Sequence, residues 1–212
     1  MEKRIRDFLK DKGATLVGFC QTEGIRTYGE IRLLPYAISA GIRLSETVLE
    51  TVTDRPSLIY KHHYRTINHY LDQLALRITR FLEDHGYQAL PIGASQTIDW
   101  ERQLGHLSHL EIGRRAGLGW IGRSGLLINP RYGAQVRYVS ILTDLELPTV
   151  KELPFGCGDC YKCLDVCPAR AISKDGVDVK LCYQKLREFS RVRGIGQFIC
   201  GVCIRVCRPP WH

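Results

Sequence analysis

The stretch CGDCYKCLDVCP, from Cys157 to Pro168, places four cysteines at a C-x2-C-x2-C-x3-C-P spacing. A second run, ICGVCIRVC, extends from Ile199 to Cys207 and carries three more, with Cys182 between the two runs. Eight of the nine cysteines therefore lie in the last 56 residues. Cysteines at these spacings are typical ligands of iron-sulfur clusters, and eight thiolates are what two 4Fe-4S clusters require.

The spacing also predicts which cysteines share a cluster. In the bacterial pattern the first three cysteines of a run bind one cluster and the fourth binds the other. The first cysteine group is therefore Cys157, Cys160, Cys163 and Cys207, and the second is Cys167, Cys182, Cys200 and Cys203. Cys182 replaces the cysteine that the second run lacks. The alternative, an ordinary buried thiol, would leave the second cluster with three protein ligands.

Zinc is the alternative metal, because C-x2-C pairs also form four-cysteine zinc sites. The third cysteine at the same step and the proline after Cys167 favour iron-sulfur clusters. The chain has no run of about 18 or more apolar residues, and its start, MEKRIRDFLKDKG, is charged, so we expect no membrane span and no secretory signal. We expect a cytoplasmic protein, in which such cysteines bind metal rather than form disulfides.

The charge of the chain favours anionic partners. Its formal net charge is +8; eight ligating thiolates contribute about −8 and two oxidised cluster cores about +4, which leaves about +4. A modest positive field suits tRNA, a phosphate-bearing cofactor or an acidic redox protein. A basic surface that is merely solvated is the alternative.

Hydrophobic periodicity predicts alternating helices and strands before the cysteine runs. The segment from Glu2 to Lys12 has apolar residues at helical spacing, and Ala14 to Cys20 has the composition of a buried strand. Cys20 lies outside both cysteine runs, so we predict that it packs in the core. One apolar stripe from Leu58 to His85 predicts a long amphipathic helix, and Tyr87 to Ile92 predicts a short strand after it.

The segment from Ala94 to His109 has no clear period, so we predict a loop there. A short helix and two strands joined by a hairpin turn follow, at Leu110 to Ala116, Gly125 to Asn129 and Gln135 to Thr143. A linker from Leu147 to Phe155 ends this part. We therefore predict an α+β protein, with an α/β domain over residues 1–148 and a ferredoxin-like domain with two 4Fe-4S clusters over residues 149–212.

Two segments offer candidate functional residues. The loop and its flank carry groups able to donate a proton near a redox centre, namely Asp99, Glu101, His106 and His109, with Glu111 close by. For each of these a cap, an ion pair or a structural histidine is the alternative. Three glycines within GLGWIG indicate backbone that passes close to a large flat group or turns sharply. The candidate cofactor contacts are Gly117, Leu118, Gly119, Trp120, Ile121 and Gly122.

The run AGLGWIGRSGLLINPRYGAQVRYVSILTD, from Ala116 to Asp144, together with the two cysteine runs, resembles the epoxyqueuosine reductase family. The match is to its short members with a double 4Fe-4S domain. The resemblance implies a cobalamin-dependent oxidoreductase, in which a nitroreductase-like α/β domain holds the corrin and two clusters relay low-potential electrons to it. It also implies an electron donor of ferredoxin or flavodoxin type.

The chain departs from the family at two places. The family has a proton-donating aspartate in a D-x-x-P-x-x-E pattern before AGLG, whereas this chain has Gln103 at the corresponding position and lacks the pattern. The chain also ends at His212, where longer members continue into a helical extension that helps to hold tRNA. Two alternatives therefore stay open: a ferredoxin-type electron carrier without a corrinoid, and epoxyqueuosine reduction on tRNA with another proton donor.

Overall fold

A four-stranded antiparallel sheet organises the first part of the chain. We analysed a computed structural model, which describes residues 1–209. The strands are β1 Leu16–Gln21, β2 Tyr36–Arg43, β3 Ala89–Ile92, β4 Trp120–Ile121, β5 Leu127–Ile128, β6 Val136–Thr143, β7 Ile172–Ser173 and β8 Gly176–Val177. The helices are α1 Glu2–Asp11, α2 Glu46–Glu50, α3 Leu58–Glu83, α4 His109–Arg115, α5 Lys162–Asp165, α6 Val179–Ser190 and α7 Val202–Val206.

The sheet has the strand order β1-β2-β6-β3, and every neighbouring pair is antiparallel. The two central strands are paired along their full length, with Ile38 opposite Ile141, and both of these residues are fully buried. Strand β2 is absent from the periodicity-based prediction. Its sequence, YAISAGIR, shows no alternation because both of its faces are covered, so its burial pattern is continuous.

Helices cover both faces of the sheet. On one face, α1 and α3 pack against β1, β2 and β6 through a core that includes Leu9, Leu71 and Ile78. Helix α3 begins at its N-cap Ser57, whose hydroxyl accepts a hydrogen bond from the N–H of Tyr60 at 2.9 Å. On the other face, α4 contributes Ile112 to a second core. The observed α3 confirms the long amphipathic helix predicted from the apolar stripe.

The cysteine-rich segment packs directly on this α/β part. Helix α7 contacts α2 and α5, and Val202 joins Leu49 and Tyr60 in a separate apolar cluster. The Gln135 side chain donates a hydrogen bond to the carbonyl of Arg205 at 3.1 Å. The architecture is mixed α/β, in agreement with the predicted class, and the domain boundary near residue 148 stays a prediction.

Two further expectations concern the loop and the membrane. Residues 94–108 form no helix and no named strand; a single bridge between Asp99 and Leu104 is their regular pairing. Among residues 1–209, no helix combines the length and apolar character that crossing a bilayer requires.

Candidate metal centres and the adjoining cavity

The four members of the first cysteine group come together around α5 and the end of α7. The pKa of the Cys207 thiol is raised to about 11, chiefly by burial, with smaller contributions from the neighbouring thiols of Cys157, Cys163 and Cys160. The pKa of Cys163 is likewise raised by burial and by Cys157 and Cys160. Such repulsion between thiolate charges requires that the sulfur atoms be near one another.

The second cysteine group forms in the same way around α6 and α7. Burial raises the pKa of Cys200 to about 11, and the thiols of Cys182 and Cys167 contribute. Burial also raises the pKa of Cys203, to which Cys200, Cys182, Cys167 and, more weakly, Cys163 add. Cys182 therefore lies with the second group, as its predicted role requires. Helices α5 and α7, which carry Cys163 and Cys203, contact each other, so the two groups are neighbours.

Both groups contain N–H donors directed at sulfur. The indole N–H of Trp120 lies 3.4 Å from Cys157 Sγ, and the backbone N–H of Ala171 lies 3.3 Å from Cys167 Sγ. Backbone N–H groups of Ala134 and Val202 reach the sulfur atoms of Cys207 and Cys200 and lower the pKa of these thiols. Hydrogen bonds of this kind stabilise an anionic sulfur, which is the form that ligates iron.

Among residues 1–209, no three histidine, cysteine or carboxylate side chains are grouped so that they could hold a metal ion. A tetrahedral zinc site would draw four sulfur atoms to about 2.3 Å from one point. The metal that these thiols bind stays a prediction, in which the cysteine spacing favours iron-sulfur clusters over zinc.

The glycine-rich run packs against the first cysteine group. A Cβ added at Gly119 would lie 2.2 Å from the carbonyl oxygen of Ile128, and one at Gly122 would lie 3.1 Å from Cys157 Sγ. The Trp120 ring lies against Gly156. The run therefore forms the tight turn between α4 and the β4–β5 hairpin. Protein atoms, rather than an open cofactor surface, lie beside these glycines.

A cavity of about 400 Å³ lies beside the sheet and α4. Its walls are largely apolar, with polar groups at a few positions. It is lined by Ile25, Arg26, Tyr28, Ile92, Ala94, Gln96, Gln103, Leu104, Gly105, Leu107, Ser108, His109, Leu110, Glu111, Leu126, Leu127, Ala134, Val136, Arg137, Tyr138 and Ile204. No residue of the glycine-rich run is among these.

The cavity and the first cysteine group share a wall. Leu126, Ala134 and Ile204 line the cavity and also pack in the small apolar cluster that includes Cys157 and Cys207. Ala134 faces the cavity while its N–H reaches the Cys207 sulfur. A group bound in the cavity would therefore be separated from the first cysteine group by the apolar side chains of this wall.

Three of the four predicted proton donors lie outside the cavity wall. Asp99 accepts a hydrogen bond from the N–H of Arg102 at 2.9 Å, and Glu101 is exposed. His106 Nδ1 lies 3.1 Å from the carbonyl oxygen of Tyr28. Among the four, only His109 lines the cavity.

His109 is held as a neutral imidazole. Its Nε2 lies 3.0 Å from the carbonyl oxygen of Gly93, and its Nδ1 lies 2.8 Å from Ser140 Oγ. Because a carbonyl can only accept, Nε2 carries the proton and Nδ1 accepts from the serine hydroxyl. Burial lowers the pKa of His109 to about 4. The two hydrogen bonds therefore hold the ring in place in the cavity wall. Because the imidazole is neutral near neutral pH, it is poorly suited to act as a general acid there.

Tyr138 is the cavity residue that the sequence patterns did not single out. It is 4% exposed, and its hydroxyl has no hydrogen-bond partner among the described residues. Burial raises the pKa of this phenol, so the hydroxyl stays protonated. Glu111, by contrast, is ionised, because Arg114 and Arg115 lower its pKa to about 2. Tyr138 lies within the apolar run of β6. Only the alternation of side chains between the two faces of the strand could have indicated from the sequence that it lines a cavity.

Comparisons with known proteins give two related groups. No family model matches the chain. A tetrachloroethene reductive dehalogenase of Desulfitobacterium hafniense is 30% identical over 164 residues, covering 72% of this chain and 28% of that protein. An epoxyqueuosine reductase of Aliivibrio fischeri is 30% identical over 162 residues, covering 72% of this chain and 40% of that protein.

Solved structures with the same fold come from the same two groups. A catabolic reductive dehalogenase in complex with 3-bromo-4-hydroxybenzoic acid superposes with a TM-score of 0.78 at 22% identity, over 96% of this chain and 31% of that one. The epoxyqueuosine reductase of Streptococcus thermophilus gives 0.66 at 20% identity, over 98% and 65%. A further reductive dehalogenase structure is described with a mechanism for B12-dependent dehalogenation. The chain spans 28% to 40% of the curated relatives named above.

Proposed function

We propose that this chain, a relative of the epoxyqueuosine reductases and the reductive dehalogenases, is an oxidoreductase that relays low-potential electrons through two 4Fe-4S clusters to a corrinoid in the cavity. The wall shared by the cavity and the first cysteine group carries the proposal. When bound, the clusters would supply one-electron transfer and the corrinoid a cobalt centre able to reduce the substrate.

The positions of the two cysteine groups set the order of electron transfer in this proposal. The first group adjoins the cavity through Ala134, and the second adjoins the first through Cys203 and Cys163. Without metal, burial and mutual repulsion raise the thiol pKa values, so a cationic cluster core would relieve a cost that the fold imposes. The N–H groups at the sulfur atoms would stabilise the ligating thiolates further.

The cavity walls have the chemistry that a corrin ring requires. Apolar side chains such as Leu127 and Val136 would contact its faces, and the amides of Gln96 and Gln103 would serve its polar rim. Gln96, Gln103, Gly105 and Arg137 also line a second cavity of about 360 Å³, next to the ring of Trp100. The adjoining cavities give a large ring more room than either one alone.

Tyr138 is the proton donor that the cavity favours. Its hydroxyl is buried and unpartnered within residues 1–209, and its raised pKa leaves the proton on Oη. His109 is neutral and both of its ring nitrogens are engaged. Tyr138 Oη would therefore hold the proton that a reduced substrate takes up, in place of the aspartate that the family pattern leads one to expect.

The test is anaerobic reconstitution followed by addition of cobalamin. We expect about eight iron atoms per chain, because two 4Fe-4S clusters account for that number. Cobalamin should then bind, and its visible spectrum should shift to that of the reduced cobalt once the clusters are reduced. Absence of binding and of any spectral change would instead favour an electron carrier without a corrinoid.

A separate assay addresses epoxyqueuosine in tRNA. Turnover of epoxyqueuosine-containing tRNA by the cobalamin-loaded protein would identify the substrate. Reduction of cobalt without any turnover of this tRNA would leave the relay intact and point to a different substrate.

A further inference from the structure

Helix α6 covers the second cysteine group on one side and faces solvent on the other. None of its residues is buried, yet it carries Cys182. At about 100° per residue, Cys182 and Phe189 lie on one side of the helix, and Lys180 and Arg187 lie on the opposite side. The first two are partly buried and the last two are exposed. About one helix diameter, some 10 Å, therefore separates the second group from solvent here.

The outer surface of α6 and of the turn after it is basic. From Asp178 to Gly194 the chain has five basic and two acidic residues, a net charge of +3. Lys180, Arg187, Arg191 and Arg193 are exposed, whereas Lys185 is partly buried and pairs with Glu188.

Apolar side chains lie among these charges. Leu181 is 42% exposed and Val192 is 38% exposed. Exposed apolar residues among charges of one sign are typical of transient interfaces, in which the charges speed encounter and the apolar residues make contact. We define the α6 surface as Lys180, Leu181, Arg187, Arg191, Val192 and Arg193.

The outer loop of the first cysteine group, unlike the α6 surface, carries charges of both signs. Between residues 151 and 165 it has two lysines, Lys151 and Lys162, and three acidic residues, Glu152, Asp159 and Asp165. Glu152 is further paired with Arg114. Arg123 also lies against this loop, where it donates to the carbonyls of Gly158 and Cys160. Charges of both signs therefore occur here, whereas the exposed charges that define the α6 surface are all positive, which favours the α6 surface as the entry point.

We propose that the α6 surface docks a small acidic redox protein that delivers electrons to the second cluster. This inference rests on the proposed function, in which the first cluster faces the cavity and the second is left for the donor. In the transfer step the donor is oxidised by one electron and the second cluster is reduced by one. The positive α6 surface would raise the association rate at low ionic strength.

Flavodoxin, an acidic flavoprotein, is the probe for this proposal. Its affinity for the cluster-loaded protein is measured by isothermal titration calorimetry at several salt concentrations, and the rate of cluster reduction by reduced flavodoxin is followed by stopped flow. The test variant is Arg187→Glu with Arg191→Glu. The control is Lys3→Glu with Lys12→Glu, which makes the same change in charge at exposed positions on and next to α1.

We expect the α6 variant to lose at least tenfold in affinity and in rate at low salt, the control to change less than twofold, and added salt to remove the difference. Equal losses in both variants, or none in the α6 variant, would overturn the proposal. Reduction by dithionite should be unchanged in all proteins. If dithionite-reduced clusters still reduce cobalt, but flavodoxin binds and reduces the α6 variant as well as the wild type, the docking proposal fails and the proposed function stands.

Discussion

The hydroxyl of Tyr138 carries an energetic cost and, in the proposed function, also the role of proton donor. A buried hydroxyl without a partner among residues 1–209 destabilises the fold by about 1–3 kcal/mol. Tyr138→Phe should therefore leave the thermal unfolding midpoint unchanged or raise it, while substrate reduction falls and cobalt reduction persists. Tyr70→Phe is the control, because its hydroxyl donates to the carbonyl of Lys12 at 2.7 Å and its removal should lower the midpoint slightly. A clear loss of stability in Tyr138→Phe would contradict this account.

His109 should make stability depend on pH. Its pKa falls from 6.5 to about 4 on folding, so the unfolded chain binds the proton first as the pH drops. This contribution to stability is full above pH 6.5 and decreases by up to about 3 kcal/mol as the pH falls towards 4.

The measurement for His109 is the unfolding midpoint of the wild type and of His109→Gln between pH 7 and pH 4.5. The variant should show a flatter pH dependence, because it lacks the titrating ring. The exposed His69 supplies the control, and His69→Gln should follow the wild type. Parallel curves for the wild type and His109→Gln would disprove this assignment.

For single residues, the sequence predicts a set of cysteine ligands but no reliable proton donor. Cysteine spacing predicts both groups because ligand spacing is a local property of the chain, and the ligand assignment stays a prediction. Asp99, Glu101 and His106 are candidates because they lie in an irregular loop, but none of them lines the cavity. Tyr138 faces the cavity because of where β6 lies in the sheet, which depends on residues far away in sequence.

Among the elements, the turn at Gly119 should tolerate the least change. A Cβ there would meet the Ile128 carbonyl oxygen at 2.2 Å, so Gly119→Ala should destabilise the β4–β5 hairpin by about 1–3 kcal/mol. Trp120, which donates to Cys157, would shift with it, so iron content should fall as well.

Gly86→Ala provides the comparison for Gly119→Ala. Gly86 has a φ of +84° and no atom near its absent Cβ, so the cost is about 1 kcal/mol of backbone strain without loss of iron. Equal iron contents in the two variants would argue against a supporting role for the turn.

Helix α3 followed from its apolar stripe. Strands β1 and β6 followed from apolar runs rich in large side chains, although both are almost continuously buried. Strand β2 escaped prediction because small residues and continuous burial leave no period to detect. The glycine-rich run predicts that some group packs closely against the backbone. The fold shows that, at Gly119, this group is the backbone of Ile128.

In the proposed electron path, three sites of the molecule lie in series: the α6 surface, the two cysteine groups and the cavity. The shared wall of Leu126, Ala134 and Ile204 is the step on which the order depends. Cys207, a predicted cluster ligand, packs against this wall together with Cys157. Cys20 is buried elsewhere, with its thiol donating to the carbonyl of Ile112 at 3.7 Å.

The rate of cobalt reduction in cobalamin-loaded Cys207→Ser and Cys20→Ser tests this order most directly. Dithionite would reduce the clusters, and the spectrum of the cobalt would be followed by stopped flow. The account predicts that Cys20→Ser matches the wild type and that Cys207→Ser, in which the first cluster is damaged, slows at least tenfold while the second cluster is still reduced. Equal rates in all three proteins would contradict it.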